Sequence, residues 1–127
     1  MLGELALRVN DFEKMKAFYA DVVGLEVFSD QSPDLVFFRM GEGVEGHPQL
    51  LAIFDRSVEV GPERTSLDHF AFVIDAADYD AQKARLEALG VTVYPKTFPV
   101  HRWRSLFFAD PEGNTVELVS YDPSVSG

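Results

Sequence analysis

The sequence predicts an α+β domain of two similar modules with approximate two-fold symmetry, each made of one strand, one helix and three further strands. Three observations support this prediction. The order of strand, helix and three strands occurs twice in 127 residues, and a polar Gly-Pro segment separates the two occurrences. An offset of 65 residues, which lays His69 over Glu4, matches the apolar positions of the first strands of the two halves. The predicted helix of each half ends at a glycine that an apolar strand follows.

The first module is expected at residues 1–58. Its opening segment "ELALRV" alternates apolar and polar residues, which is typical of a short strand. Asn10 or Asp11 can cap the following helix, because a short side-chain oxygen accepts hydrogen bonds from free N–H groups at a helix start. Apolar residues then recur at helical spacing up to Gly24. Three strands complete the module, at 25–30, 34–40 and 49–55, and the glycine-rich segment 41–48 is predicted to be a loop or a wide hairpin connection.

The second module is expected at residues 67–121, after a linker at 59–66. It begins with the apolar segment "LDHFAFVI", and a helix follows that ends at Gly90. "PEGN" predicts a tight turn between the last two strands. The three later strands are predicted at 91–95, 104–110 and 115–121, and residues 122–127 form a tail.

The composition excludes several classes of protein. Hydrophobic residues make up 46% of the chain, with eleven Phe, which provides a core and argues against disorder. The absence of cysteine excludes disulfides and thiolate metal sites. A net charge of −10 argues against nucleic acid as a partner, and it suits either a cationic ligand or simple solubility. We find neither an apolar run long enough for a membrane span nor an export signal, and we expect a cytoplasmic protein.

One histidine stands at the start of the apolar segment "HFAFVI", and the internal repeat suggests partners for it. The 65-residue offset relates four positions, which are occupied by Glu4, Ala52, His69 and Glu117. A carboxylate inside the apolar strand "TVELVSY" is costly unless it is paired, protonated or bound to a metal. We therefore predict a metal site formed by Glu4, His69 and Glu117, with Ala52 leaving coordination positions open. One imidazole and two carboxylates favour Mn²⁺ or Fe(II), although Zn²⁺ and Ni²⁺ also fit.

Each of these residues also has a purely structural interpretation. His69 could simply form a hydrogen bond with a neighbour at the strand edge. Glu117 could be an outward-facing carboxylate on an edge strand. Glu4 lies close to the chain start, where a solvated side chain is common.

The segment "FPVHRWRS" is a basic and aromatic cluster in an acidic chain. Here Arg104 or Arg102 could bind a carboxylate or phosphonate, Trp103 could contact the substrate, and His101 could transfer a proton. Ordinary surface charge, with Trp103 at a subunit interface, is the alternative. Tyr121 is expected to act as an acid or hydrogen-bond donor in the cavity, or merely to pack there.

Three segments of the chain are similar to the vicinal oxygen chelate superfamily, which includes glyoxalase I, fosfomycin-resistance proteins, bleomycin-resistance proteins and extradiol dioxygenases. The last of these segments, a DPxGN turn before an xxEL strand, is the most specific. The segments are "LALRVNDFEKMKAFYADVVGLEV", "DHFAFVIDAADYDAQKARLEALGV" and "LFFADPEGNTVEL".

The resemblance implies paired βαβββ modules that form a curled, open, mixed β-sheet barrel with flanking helices around a divalent metal. It also implies that His69 and Glu117 are metal ligands and that Glu117 assists proton transfer. Glu4 stands where the family most often has His, and Ala52 where glyoxalase-like members carry a fourth ligand, so the sequence fits no single branch.

Two functions follow as alternatives. The first is a divalent-metal-dependent enzyme with isomerase, lyase or dioxygenase chemistry on a small oxygen-chelating substrate. The second is a non-catalytic binding protein similar to the bleomycin-resistance proteins, in which the acidic charge would attract a cationic drug. In both cases we expect a homodimer that binds a small molecule and neither nucleic acid nor membrane.

Overall fold

The computed structural model describes residues 1–58 and 66–126. The chain divides into two compact units, Met1–Arg64 and Thr65–Gly127. The predicted linker lies outside the described residues except for Ser66. No helix in the described ranges has the length and apolar character needed to cross a bilayer.

The first unit contains one four-stranded mixed sheet and one helical segment. Its elements are β1 (Glu4–Val9), α1 (Phe12–Ala17) with a π-helical extension (Phe18–Val23), β2 (Glu26–Gln31), β3 (Leu35–Val44) and β4 (His47–Asp55). The strand order is β1-β4-β3-β2, with β1 parallel to β4 and the other pairs antiparallel. This is the predicted βαβββ order.

The helix of the first unit begins and ends as the sequence predicts. The Asp11 side chain accepts a hydrogen bond from the backbone N–H of Lys14, which satisfies a free donor of the first turn. Gly24 ends the segment with φ of 85°, a conformation that glycine adopts without steric cost. The buried residues of the segment are Phe12, Met15 and Tyr19.

The second unit repeats this architecture. Its elements are β5 (His69–Val73), a 3₁₀ turn (Ala76–Asp78), α2 (Tyr79–Ala88), β6 (Tyr94–Phe98), β7 (Trp103–Ala109) and β8 (Thr115–Tyr121). The strand order is β5-β8-β7-β6, and β5 is parallel to β8. Two open mixed sheets with helices confirm the predicted α+β class and the curled, unclosed sheets.

The strand pairing in the two sheets follows the 65-residue repeat of the sequence. Ala6 pairs with Ala52 in the first sheet, and Ala71 pairs with Glu117 in the second. Ala52 and Glu117 therefore occupy equivalent places, opposite an alanine of the first strand. One further pairing agrees with this, because Phe37 faces Ala52 and Phe107 faces Glu117 on the other side.

Two element boundaries differ from the prediction. The segment 41–48 was expected to be a loop or a wide hairpin connection, and it forms a hairpin in which the strands extend further than predicted: β3 runs to Val44 and β4 begins at His47. Gly43 serves a close approach between these strands, since a Cβ there would lie 2.1 Å from the carbonyl oxygen of His47. The strand predicted at 91–95 is displaced to Tyr94–Phe98, where it pairs with β7 at the sheet edge and so tolerates Pro95.

The turn between β7 and β8 fixes the register of the two strands. The Asp110 carboxylate accepts hydrogen bonds from the backbone N–H groups of Glu112 and Asn114, both at 2.9 Å, and from the Asn114 side-chain amide at 2.8 Å. Gly113 supplies the positive φ of 87° that the turn needs. This turn aligns the strands so that Phe107 lies opposite Glu117.

Replacing Asp110 by Ala should therefore destabilise the protein by about 1–3 kcal/mol, because the turn loses the buried carboxylate that accepts from its N–H groups. Urea unfolding followed by circular dichroism measures this difference. Asp122→Ala is the matched control, since Asp122 forms a similar turn with Ser124 in the exposed tail. Equal destabilisation by the two variants would contradict this interpretation of the turn.

Candidate functional site

The candidate site is centred on His69 and Glu117, which the second sheet brings together. The His69 Nε2 atom lies 3.0 Å from Glu117 Oε1. The His69 side chain is 38% exposed and that of Glu117 is 8% exposed. The pair therefore consists of a buried carboxylate and a partly solvent-exposed imidazole. His69 opens β5 and Glu117 lies at the middle of the adjacent strand β8. The sequence-based prediction that these two residues are neighbours agrees with this geometry.

The buried carboxylate of Glu117 has a second polar partner. The Ser105 hydroxyl, which is fully buried on β7, donates a 2.7 Å hydrogen bond to Glu117 Oε2. The two carboxylate oxygens thus face different groups: Oε1 faces the imidazole and Oε2 accepts from the hydroxyl. These contacts offset the desolvation cost of a carboxylate in a strand whose neighbours Val116 and Leu118 are apolar.

The Asp68 side chain orients the imidazole from the other side. Its Oδ2 atom lies 2.7 Å from His69 Nδ1. The hydrogen bond to Asp68, assisted by the negative charge of Glu117, raises the pKa of His69, and partial burial opposes this increase. With Nδ1 held by Asp68, Nε2 is the ring nitrogen that points towards Glu117.

Aromatic rings form an apolar wall beside the pair. The Phe107 ring meets the His69 imidazole edge-to-face with 5.7 Å between centroids. Phe98 packs against Phe107 at 6.3 Å in the same manner. These rings limit the rotation of the imidazole and give one side of the site an apolar surface.

A second group of predicted residues lies further along the same face. Trp103 pairs with Tyr121 across β7 and β8, and alternation places both on the face that carries Glu117. The His101 ring stacks on Trp103 with 4.5 Å between centroids. Tyr121 is four residues beyond Glu117, which corresponds to about 13 Å along a strand. Tyr121, with Trp103 and His101 beside it, therefore lies well along the strand from Glu117, and the predicted catalytic roles of His101 and Tyr121 stay predictions.

Of the two arginines of the predicted substrate-binding cluster, Arg104 lies on the other face of the sheet, and the role of Arg102 stays a prediction. The Arg104 guanidinium stacks on the Tyr79 ring at 3.7 Å and lies 3.5 Å from Asp80, on the helix-facing side of the sheet. The structure thus separates Arg104 from the face that carries Glu117, because adjacent residues of a strand point to opposite faces. Arg102 is exposed in the turn before β7 with φ of 59°.

The third predicted ligand belongs to the first unit. Glu4 is exposed at the start of β1, in register with Leu50, and Ala52 is fully buried on β4. Within the described residues of either unit, no three His, Asp or Glu side chains are arranged to hold a metal ion. The structure brings His69 and Glu117 together. The roles of His69, Glu117 and Glu4 as metal ligands stay predictions.

Two polar residues of the site, Asp68 and Ser105, were not predicted. Asp68 directly precedes His69, and a carboxylate next to a candidate histidine is a local sequence signal for such a contact. Ser105 was less accessible to prediction, although a serine between Trp103 and Phe107 on the inward positions of β7 is unusual in an apolar strand. Its contact with Glu117 depends on the pairing of β7 with β8.

The paired βαβββ units with a histidine–carboxylate pair on one sheet define the class of protein. The model of the Glyoxalase/Bleomycin resistance protein/Dioxygenase superfamily matches residues 1–118. The chain belongs to this superfamily.

Individual relatives carry several different enzyme names. The structure of lactoylglutathione lyase from Agrobacterium tumefaciens is similar with a TM-score of 0.75 and 32% identity, covering 94% of this chain and 92% of that one. Glutathione transferase FosA from Serratia marcescens is 26% identical over 92% of this chain and 78% of its own length. Biphenyl-2,3-diol 1,2-dioxygenase from Sphingomonas paucimobilis is 26% identical over 98% of this chain, which spans 40% of that protein.

In the metal-free protein, His69 should titrate above its ordinary pKa of 6.5. Asp68→Asn should lower this pKa, because the largest stabilising contact of the imidazolium is lost. Since the pKa is higher in the folded chain than in the unfolded chain, the interaction stabilises the fold below about pH 6.5 and its contribution disappears as the pH rises through the folded-state pKa. An NMR titration of the imidazole signals measures the pKa. Asp80→Asn, on the other face of the sheet, should leave it unchanged, and a normal His69 pKa in the unmutated protein would refute the prediction.

Proposed function

We propose that the protein is a divalent-metal-dependent enzyme that acts on a small substrate with two adjacent oxygen atoms. The single observation that carries the proposal is the 3.0 Å approach of His69 Nε2 to the buried Glu117 Oε1. An imidazole nitrogen and a carboxylate oxygen converging on one point are a common pair of metal donors. Membership of a superfamily that includes proteins named as lyases and dioxygenases supports the same function.

His69 and Glu117 fit the metal chemically. The Asp68 carboxylate holds Nδ1 of His69, which is the usual arrangement for a ligating histidine whose other nitrogen faces a metal. We propose Glu4 as the third ligand, supplied by the first unit. An oxygen-rich set of this kind suits Mn²⁺, Fe(II), Ni²⁺ or Zn²⁺.

A bound divalent ion would polarise the substrate oxygens and stabilise negative charge that develops on them. The residues of the chain supply the remaining requirements. The Phe107 and Phe98 rings supply an apolar side of the site, against which an apolar part of the substrate could pack. We also propose that Glu117 assists the transfer of a substrate proton. Ala52, which stands in the first sheet at the place equivalent to Glu117, offers no metal-binding atom. We include isomerase, lyase and dioxygenase chemistry in the proposal.

The far end of the substrate would meet the aromatic group of Trp103 and His101. Their stacked rings are exposed, and Trp103 is 42% accessible to solvent. A flat or extended substrate could lie against these rings while its oxygens face the His69 end. We further propose that the protein is a homodimer, since members of this superfamily with two modules are commonly dimeric. We also propose that it acts in the cytoplasm.

Removal of either central donor should abolish tight metal binding. His69→Ala and Glu117→Gln should each weaken Mn²⁺ binding by more than the roughly 10–100-fold that loss of an outer partner costs. Isothermal titration of chelator-treated protein measures the affinity. His101→Ala is the matched control, because it removes a histidine of the same unit outside the proposed ligand set. A wild-type protein that binds none of Mn²⁺, Fe(II), Ni²⁺ and Zn²⁺ would refute the proposed function.

The contribution of Glu4 requires a separate measurement. Glu4→Gln should weaken Mn²⁺ binding clearly, because an amide oxygen is a poorer donor than a carboxylate for a hard cation. Glu13→Gln, on the exposed surface of α1, serves as a charge-matched control. Unchanged affinity in Glu4→Gln would remove Glu4 from the ligand set and leave His69 and Glu117 in place.

A second candidate function is favoured by the exposed aromatic group. Trp103 is exposed beside Tyr121, which is 59% exposed, in a chain with a net charge of −10. Such a surface suits a planar organic cation, as in a drug-binding protein without catalysis. Quenching of the fluorescence of Trp103, the single tryptophan, by a planar aromatic cation in metal-free protein would favour this function. A requirement for metal in the same titration would favour the enzyme.

A further inference from the structure

The most constrained hydroxyl near the site belongs to Ser105. Its side chain is fully buried, and its Oγ donates to Glu117 Oε2 at 2.7 Å. A buried hydroxyl that donates to a carboxylate forms a charge-assisted hydrogen bond, which is stronger than one between neutral groups. Ser105 therefore fixes the rotation of the Glu117 carboxylate about its last bond.

The backbone of Ser105 is held as firmly as its side chain. The Tyr79 hydroxyl, buried between α2 and the sheet, donates to the Ser105 carbonyl oxygen at 3.2 Å. The register of β7 with β8 pairs Ser105 with Val119, so Ser105 is the diagonal neighbour of Glu117. The Ser105 hydroxyl thus belongs to a strand that is hydrogen-bonded to α2, which packs on the opposite face of the sheet.

The two oxygens of Glu117 consequently have separate tasks. Oε2 is occupied by the Ser105 hydroxyl, whereas Oε1 faces His69 Nε2 at 3.0 Å. We propose that Ser105 is a positioning residue that makes Glu117 a one-oxygen metal donor, presenting Oε1 beside His69. This inference rests on the proposed metal-dependent function and assigns the orientation of its central carboxylate to a residue outside the ligand set.

The test compares two buried serines of the same sheet. Ser120 is 1% exposed and its hydroxyl donates at 2.8 Å to the Arg104 carbonyl oxygen, so Ser120→Ala loses a hydrogen bond of similar burial but away from Glu117. Ser105→Ala should weaken Mn²⁺ binding about 10–100-fold, and Ser120→Ala should change it less than about threefold. Isothermal titration gives the affinities, and thermal unfolding shows that both variants are folded.

The visible absorption spectrum of bound Co²⁺ provides a second measurement, which a purely structural role of Ser105 would leave unchanged. Ser105→Ala frees the second oxygen of Glu117, so the band positions and intensities should change towards a higher coordination number, whereas Ser120→Ala should keep the wild-type spectrum. Equal Mn²⁺ affinities and spectra in Ser105→Ala and wild type would overturn the inference alone. Equal losses in both serine variants would also overturn it, because they indicate a general packing effect. A wild-type protein that binds no metal would instead overturn the proposed function together with this inference.

Discussion

The geometry of the candidate site depends on one costly feature, the buried carboxylate of Glu117 inside an apolar strand. Its side chain is 8% exposed, and such a charge is tolerated only where other polar groups compensate for lost water. His69 and Ser105 provide that compensation from the strands on either side of β8. The position of this carboxylate therefore constrains the residue types of both neighbouring strands.

Several hydrogen bonds around this carboxylate position the groups that contact it. The Asp110 turn sets the register of β7 and β8, and the register places Ser105 diagonally to Glu117. Tyr79 anchors β7 to α2 through the Ser105 carbonyl. Asp68 then orients the imidazole of His69. Each contact is modest by itself, but together they leave the donor atoms few alternative arrangements, which is what a preorganised site requires.

The two sheets have equivalent positions, but the residue at the position of Glu117 differs between them. The place of Glu117 is taken in the first sheet by Ala52, which is fully buried and has no polar group to satisfy. The first unit consequently needs no counterpart of Ser105 at this place, where Phe37 is the partner of Ala52 in the strand register. The two sheets therefore share one strand order, but the histidine–carboxylate pair lies on the second.

Most of the fold could be predicted from the sequence, because the features that specify it are local. Alternating strands, the Asp11 cap, Gly24 and the "PEGN" turn act within a few residues. The displacement of the strand before β7 and the extension of β3 and β4 into the glycine-rich segment could not be predicted, since pairing across a sheet overrides local glycine and proline signals.

The sequence by itself determined the βαβββ repeat and singled out His69 and Glu117, because a periodic apolar pattern with an internal offset of 65 residues reports which positions are equivalent. The family was indicated by the resemblance of three sequence segments. Only the tertiary structure decided that Ser105 and Asp68 hold the pair, and that Arg104 faces α2. These contacts join residues whose neighbourhood depends on strand register and on the direction of each side chain. Neither is encoded by residue type alone.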